Sequence, residues 1–493
     1  MSNNLRAGCV RLVQTFNKQL SCHHTRSIRH YICFSTILRN EKSQFSLEKI
    51  LKCLNIGILS RKYSTTTNSN NRYDLAIVGG GIIGLATAQE MISRYPTMKI
   101  VVVEKEGELA SHQSGHNSGV IHAGVYYTPG TLKAKLCVQG AKMAYEFCDA
   151  NGIPYKKCGK LIVAVEIKEL SLLDNLMERG IKNGVPGIKM IEGKDISSIE
   201  PHCKGLRAIH SPNTGIVDWK RVSQKYGSNF KRAGGKIILN YQVINFKMNP
   251  VNSDYPILVR GEMGQNKGIK DIQSKYVITC AGLYSDKVAE MSGCSSDPKI
   301  VPFRGEYLML KPDKRHLIRG NIYPVPDPRF PFLGVHFTPR MDGNIWLGPN
   351  AVLAFSREGY SFRDINFGDM LDYLKFSGFR SMSYKYLGPG IKEMYGSIFL
   401  SAKIAALKRY VPELKASDVM PGPAGVRAQA LDTSGQLVDD FVFDSGKGVL
   451  GERTLHVRNA PSPAATSSLA ISKMVADKAR EKFKLVEPLK NSH

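Results

Sequence analysis

The sequence predicts an α/β fold: a Rossmann-like domain with a parallel sheet, joined to an α+β domain whose sheet is mainly antiparallel. Three observations carry this. Near the start of the folded part, an apolar strand, a glycine turn and a helix lead into a second apolar strand. Further along, a helix and two strands of the same character recur. Between and after them lie short β-rich stretches.

In chain order, Tyr73–Val78 reads as a strand, Ile83–Ser93 as a helix and Ile100–Glu104 as a strand, a β-α-β unit that opens a parallel sheet. Trp219–Ala233 has the spacing of an amphipathic helix, and Lys236–Val243 reads as a strand after the Gly234-Gly235 turn. Tyr276–Cys280 is a further apolar strand of that sheet. The β-rich stretches are Gly159–Glu166, Gly305–Leu310, Phe332–Phe337 and Asn344–Gly348. Ser361–Ser401 fits no pattern, and its role is left open.

A chain of 493 residues with 42% hydrophobic and 22% charged residues is long enough for two intertwined domains with sizeable cores. The ten cysteines are scattered with no CxxC pair, which signals neither a zinc site nor a disulfide framework. Glycine interrupts apolar runs such as Leu75–Ala88, which are shorter than the roughly 20 residues a membrane-spanning helix needs.

Residues 1–63 hold eleven Lys or Arg, with Glu41 and Glu48 as their acids and many Ser and Thr. That bias is that of a mitochondrial transit peptide, and Arg61-Lys62-Tyr63-Ser64 resembles a cleavage context. The polar run 64–71 reads as a linker. Cleavage after Tyr63 lowers the formal charge of +26 by nine, to +17. The remaining excess suits peripheral contact with an anionic membrane, or attraction of an anionic substrate. No nucleic-acid partner is expected, because compact Lys/Arg runs interleaved with aromatics are missing from this part.

The strongest local signal is Gly79-Gly80-Gly81-Ile82-Ile83-Gly84, a GxGxxG between strand and helix, with Glu104 twenty residues beyond its last glycine. Gly79 permits the turn, Gly81 the approach of a pyrophosphate, and Gly84 close helix–strand packing. The helix N-terminus favours phosphate, and the Glu104 carboxylate can accept hydrogen bonds from a ribose. This marks a dinucleotide site without separating FAD from NAD. Two later segments bear on that choice. YVITCAG, ending at Gly282, puts small residues where backbone crowds a dinucleotide. In HVRNAPSPAATSSL, Ser462 and Pro463 read as N-cap and first residue of a helix, leaving the NH groups of Ala464, Ala465 and Thr466 to face the negative charge of a reduced flavin.

The turn SHQSGHNSGVIHAGVYY, 111–127, carries three histidines without an acid or cysteine at ligand spacing, so no metal is expected. Its Gly and Ser content suits a loop against a flat cofactor, and His112 and His116 read as structural. Arg304, Arg340 and Arg427 each stand beside a glycine turn, and an arginine fork fits a carboxylate bidentately.

On these residues the chain resembles the D-amino-acid oxidase-like FAD oxidoreductases, from Tyr73 to about Ala476. The most specific stretches are GHNSGVIHAGVYY, CGKLIVAVE, VPFRGEYL, GPAGVRAQALD and HVRNAPSPAATSSLA. Within that family they look like the branch that oxidises L-2-hydroxyglutarate to 2-oxoglutarate. The resemblance implies an FAD domain assembled from 72–155, 213–300 and 419–486, with 156–212 and 301–418 as substrate domain. It implies that Gly79, Gly81, Gly84 and Glu104 hold the ADP half of FAD and that the Val243 backbone meets the adenine. Ser111 to Ser118 would lie beside the isoalloxazine, and Ala464 to Thr466 would face its O2 edge.

The chemistry so implied is hydride transfer from C2 of a small dicarboxylate to flavin N5, while a base takes the hydroxyl proton. His122 and His336 are the candidate bases, since imidazole titrates near neutrality. Arg304 and Arg427 would clamp the carboxylates. The electrons would pass to an acceptor other than oxygen, a quinone or an electron carrier, at the matrix face of the inner mitochondrial membrane. Two readings from other classes stay open: an amino-acid oxidase of the same fold, and a flavin-bearing assembly factor of the respiratory chain.

Overall fold

The structure, a computed structural model, describes residues 71–264, 268–327, 334–361, 363–385 and 400–486. The transit peptide and most of the linker lie outside the described residues. The strand Arg72–Val78 is a mostly apolar run that packs into two cores. Leu75 and Ile77 enter one core, Tyr73, Ala76 and Val78 the other. It pairs in parallel with Ile100–Val103 on one side and Ile269–Thr279 on the other. Lys236–Ile238 and Thr454–Asn459 add further parallel strands, while Tyr241–Met248, Ile257–Met263 and Val442–Asp444 pair antiparallel, making eight strands in all. Helices Ile82–Arg94, Trp219–Arg232 and Ser468–Phe483 contribute to the first of these cores.

The segment expected as one strand, Lys236–Val243, is two. Asn240 sits in the left-handed region at φ 54°, and its NH and that of Tyr241 bond to the carbonyls of Glu106 and Glu104. The chain therefore leaves the parallel ladder and starts an antiparallel one.

A second sheet of nine strands is antiparallel apart from the pair Asn321–Pro324 and Lys160–Ala164. Its longest ladder joins Lys299–Leu310 to Val419–Leu431. The sequence reading set 419–486 entirely in the first domain; the pairing puts 419–431 in the second sheet, because Val419–Leu431 has its partner there. The expected strand at 332–337 is His336–Pro339, and 331–333 lie outside the described residues. In the unassigned region 361–401, Phe367–Lys375 and Ser377–Lys385 are helices.

Just before that region, Arg357 forms a buried ion pair with Asp286 of the helix Ser285–Glu290. Arg357 bonds both carboxylate oxygens of Asp286 at 2.6 and 2.9 Å and the Leu283 carbonyl at 2.6 Å, and both side chains are fully buried. Removing one partner strands the other charge in a dry interior. Arg357→Ala is expected to lose about 3–5 kcal/mol of stability, a shift that thermal unfolding of the holoprotein checks.

Candidate functional site

A cavity of about 880 Å³ runs between the two sheets, from Tyr241, Gln242 and Val243 past Gly79, Gly81 and Glu104 to His122, His336 and Arg427. At its first end the glycines divide the work. Gly79 stands at φ +112°, and a Cβ there or on Gly84 would overlap backbone, the Cys280 carbonyl in one case and the Gly79 carbonyl in the other. Gly81 is different: it is extended, and the one neighbour within 4 Å of a Cβ built on it, among the described residues, is Ser114 Oγ at 3.3 Å. The space beside it belongs to the cavity, so this is a cradle that a side chain would fill. Ser114 Oγ also accepts the Ile82 NH at 2.9 Å.

Glu104 is held ready by backbone, its two carboxylate oxygens accepting the NH groups of Gly80 (2.6 Å) and Glu106 (2.9 Å). A carboxylate retains acceptor sites after two such bonds. Val243 lines the cavity where a bulge interrupts its ladder.

The loop from Ser111 to Ser118 lines the middle of the cavity. Ser111 Oγ donates to the Glu108 carbonyl, and the Asn117 amide donates to the carbonyls of Gln113 and Ser114. Gln113 Oε1 accepts the Ala428 NH at 3.0 Å and so pins the loop to the second sheet. Gly282 faces this loop at φ +52°, where a Cβ would come within 3.0 Å of Gln113 Nε2. His112 lines the cavity and bonds Glu106 (2.9 Å), Glu358 (3.0 Å) and the Tyr360 hydroxyl (3.1 Å). Burial opposes its protonation, but the carboxylates of Glu358 and Glu106 prevail and hold its pKa above the usual value. The Lys105 ammonium contacts both carboxylates at 2.6–2.7 Å, neutralising the cluster from within.

At the far end two histidines line the cavity, and His336 has its ring proton placed. His336 Nδ1 donates to the Gly334 carbonyl at 2.9 Å, which leaves Nε2 as the lone-pair nitrogen. Burial, with Arg427 and Lys160 adding positive charge, pushes its pKa down to about 3. Burial, then Lys160 and His336, likewise hold His122 well below the ordinary range. The His122 backbone NH donates to Thr466 Oγ1 at 3.0 Å. Tyr126, Tyr307 and Tyr323 complete this wall, with the Tyr323 ring stacked on His336 at 4.0 Å.

Two expectations need correction. Arg304 is fully buried yet does not line the cavity. Side chains alternate along its strand, Gly305 and Tyr307 take the cavity face, and Arg304 turns away to pair with Glu306 at 3.3 Å. Arg427, next to it across the ladder, is exposed to the cavity. The other correction concerns the last helix, which begins at Ser468 rather than Pro463. Residues 461–467 form turns in which the Ala464 NH bonds the Pro461 carbonyl and the Ser467 NH bonds the Pro463 carbonyl. Ala464, Ala465 and Thr466 still line the cavity, but as a turn. The three tyrosines and Lys160 went unselected although the quoted motifs contain Tyr126, Lys160 and Tyr307. An aromatic or a lysine in a strand gives no local sign of a cavity behind it.

Comparison with known proteins bears on this arrangement directly. The family model described as FAD dependent oxidoreductase matches residues 74–478. The chain belongs to that family. This FAD dependent oxidoreductase is 56% identical to the mitochondrial L-2-hydroxyglutarate dehydrogenase of Nematostella vectensis, over 92% of this chain and 99% of that protein. It is 55% identical to the protein of that name from Homo sapiens, over 85% and 90% respectively. Among solved structures, its fold is similar to the FAD-bound L-alpha-glycerophosphate oxidase of Mycoplasma pneumoniae, with a TM-score of 0.66 and 24% identity over 85% of this chain and 97% of the other. FAD is the cofactor, and the open face of Gly81, the fixed carboxylate of Glu104 and the long cavity fit it.

Proposed function

We propose that this oxidoreductase oxidises L-2-hydroxyglutarate to 2-oxoglutarate in the mitochondrion. The observation that carries the reading is a bare His336 Nε2 in the same cavity end as the Arg427 guanidinium. One group removes a hydroxyl proton; the other holds a carboxylate. The near full-length relatives that bear this enzyme's name support the same substrate. Gly79, Gly81, Gly84, Glu104 and Val243 hold the ADP half of FAD. The loop from Ser111 to Ser118, Gly282 and the turn Ala464-Ala465-Thr466 hold the flavin half. Bound FAD supplies a hydride acceptor for C2 of the hydroxy acid. Arg427 orients the substrate through a carboxylate, and its fork fixes the angle at which C2 is presented. His336 or His122 takes the hydroxyl proton; burial keeps each neutral with a lone pair to offer, and by lowering its pKa it also makes each a weaker base than the near-neutral imidazole expected from the sequence. Tyr126, Tyr307 and Tyr323 close the wall against water. The two domains are then the first sheet with its helices, and the second sheet including 419–431.

Anaerobic rapid mixing tests the assignment: L-2-hydroxyglutarate should bleach the flavin faster than its D enantiomer, lactate or any amino acid. Faster bleaching by D-2-hydroxyglutarate or an amino acid defeats the reading.

Delivery to the mitochondrion rests on residues 1–63, and N-terminal sequencing of the organellar protein should begin at or near Ser64. An intact Met1 terminus contradicts cleavage. We place the working enzyme against the matrix face of the inner membrane, passing electrons to an acceptor other than oxygen. Helix Phe367–Lys375 supports the contact, because it is inverted. Its acids Asp369 and Asp372 turn inward to Arg357, Lys287 and Lys299, while Phe367, Leu371 and Leu374 stand exposed at helical spacing. No helix among the described residues is long and apolar enough to cross a membrane. The protein should sediment with vesicles containing cardiolipin, and Leu371→Glu with Leu374→Glu should release it while leaving flavin content unchanged. Equal sedimentation of the variant removes this helix from the contact.

A further inference from the structure

Behind the histidine end of the cavity lies a charge that the reaction as described does not use. Lys160 opens the strand Lys160–Ala164 and is 3% exposed. Its ammonium lies 3.9 Å from the centre of the Tyr323 ring and 5.3 Å from that of Tyr126. It has no ion-pair partner among the described residues. Both rings line the cavity and Lys160 does not, so the cation sits one layer back, separated from the reaction space by aromatic faces. Tyr323 is the same ring that stacks on His336.

A buried ammonium without a counterion is costly, and ring faces compensate it in part. Such a group is expected where an anion arrives to complete the pairing. Arg427 supplies positive charge at this end as well, and a substrate with two carboxylates carries two negative charges. We propose that Lys160 is a positioning residue of the reaction, supplying from behind Tyr126 and Tyr323 the positive potential that a dicarboxylate meets at the histidine end of the cavity. This rests on the dicarboxylate reading above and deepens it, since it assigns the selection of a dianion over a monoanion to a residue outside the cavity wall.

The same geometry makes the potential dependent on pH. Burial lowers the Lys160 pKa to about 7, the nearby thiols of Cys137 and Cys158 opposing this slightly. The other groups that face it do not titrate near neutrality. His336 is pushed down to about 3 and His122 well below its ordinary value, while burial pushes the thiols of Cys158 and Cys137 up to about 11 and about 12. The hydroxyls of Tyr126 and Tyr323 are raised by burial too. Lys160 is therefore charged below neutrality and neutral above it, and the potential fades as the pH rises.

The test measures binding of 2-oxoglutarate to the flavin-loaded enzyme, through the perturbed flavin spectrum, between about pH 6 and about pH 9. Wild-type affinity should fall by about tenfold across that window, the effect of one nearby charge lost. Lys160→Met should bind about tenfold more weakly than wild type at the acid end and equally at the alkaline end. Lys160→Arg should stay tight at both ends. Lactate binding should change little in either variant, and the limiting rate of flavin reduction less than the affinity. A wild-type affinity that does not vary with pH overturns the proposal even if Lys160→Met fails to fold. So does a Lys160→Met defect of the same size at every pH, or one as large for lactate. If L-2-hydroxyglutarate fails to reduce the wild-type flavin at any pH, the reading of the substrate falls instead, and the two failures are distinguishable.

Discussion

Gly81→Val is expected to yield a folded protein without flavin. The three glycines of the turn look equivalent in the sequence, yet their surroundings differ. A side chain on Gly79 or Gly84 collides with backbone, so substitution there should damage the strand–helix packing itself. Gly81 has open space with Ser114 Oγ at its edge, and two methyl groups would occupy the volume that the pyrophosphate needs. Loss of the yellow colour should therefore come with retained secondary structure by circular dichroism. Gly84→Val should instead lower the yield of soluble protein. Full flavin content in Gly81→Val would remove the phosphates from this turn.

The second large effect concerns the base. His336→Ala and His122→Ala should each leave flavin bound, and the one that removes the catalytic base should slow flavin reduction by about a hundredfold or more. The fixed Nδ1 proton of His336 makes it the stronger candidate. Its pKa gives a further check. An ordinary imidazole loses its base form as the pH falls through about 6.5, whereas His336 stays neutral until about 3. Reduction should thus show no acid limb near pH 6.5 arising from this residue. The sign for stability runs the other way. The unfolded chain takes up a proton at about the ordinary histidine pKa while the folded one does not, so this group costs stability as the pH falls from about 6.5 toward 3. Arg427→Lys keeps a charge and loses the fork, so turnover should drop while flavin content stays normal.

Several features were settled by the sequence by itself, and each is local. The strand–glycine–helix–strand opening is written within about thirty residues, because alternation, turn glycines and helix spacing act between near neighbours. Glu104 falls at its distance from the turn for the same reason. The loop that begins at Ser111 was legible from its Gly and Ser content, while its bounds at Ser118 came from the family resemblance. What the tertiary structure decided is which face of a strand meets the cavity and what lies behind it. Arg304 and Arg427 both stand beside glycine, but a one-residue offset across the ladder sends one into the interior with Glu306 and the other to the cavity. The turn at 461–467 looked like a helix start because Ser-Pro is a good one; its bonds mix three- and four-residue spans, and the regular helix begins only at Ser468. Lys160 stands next to Gly159 in an apolar strand, and its burial against Tyr323 arises from two strands more than a hundred residues apart coming together, which no local pattern records.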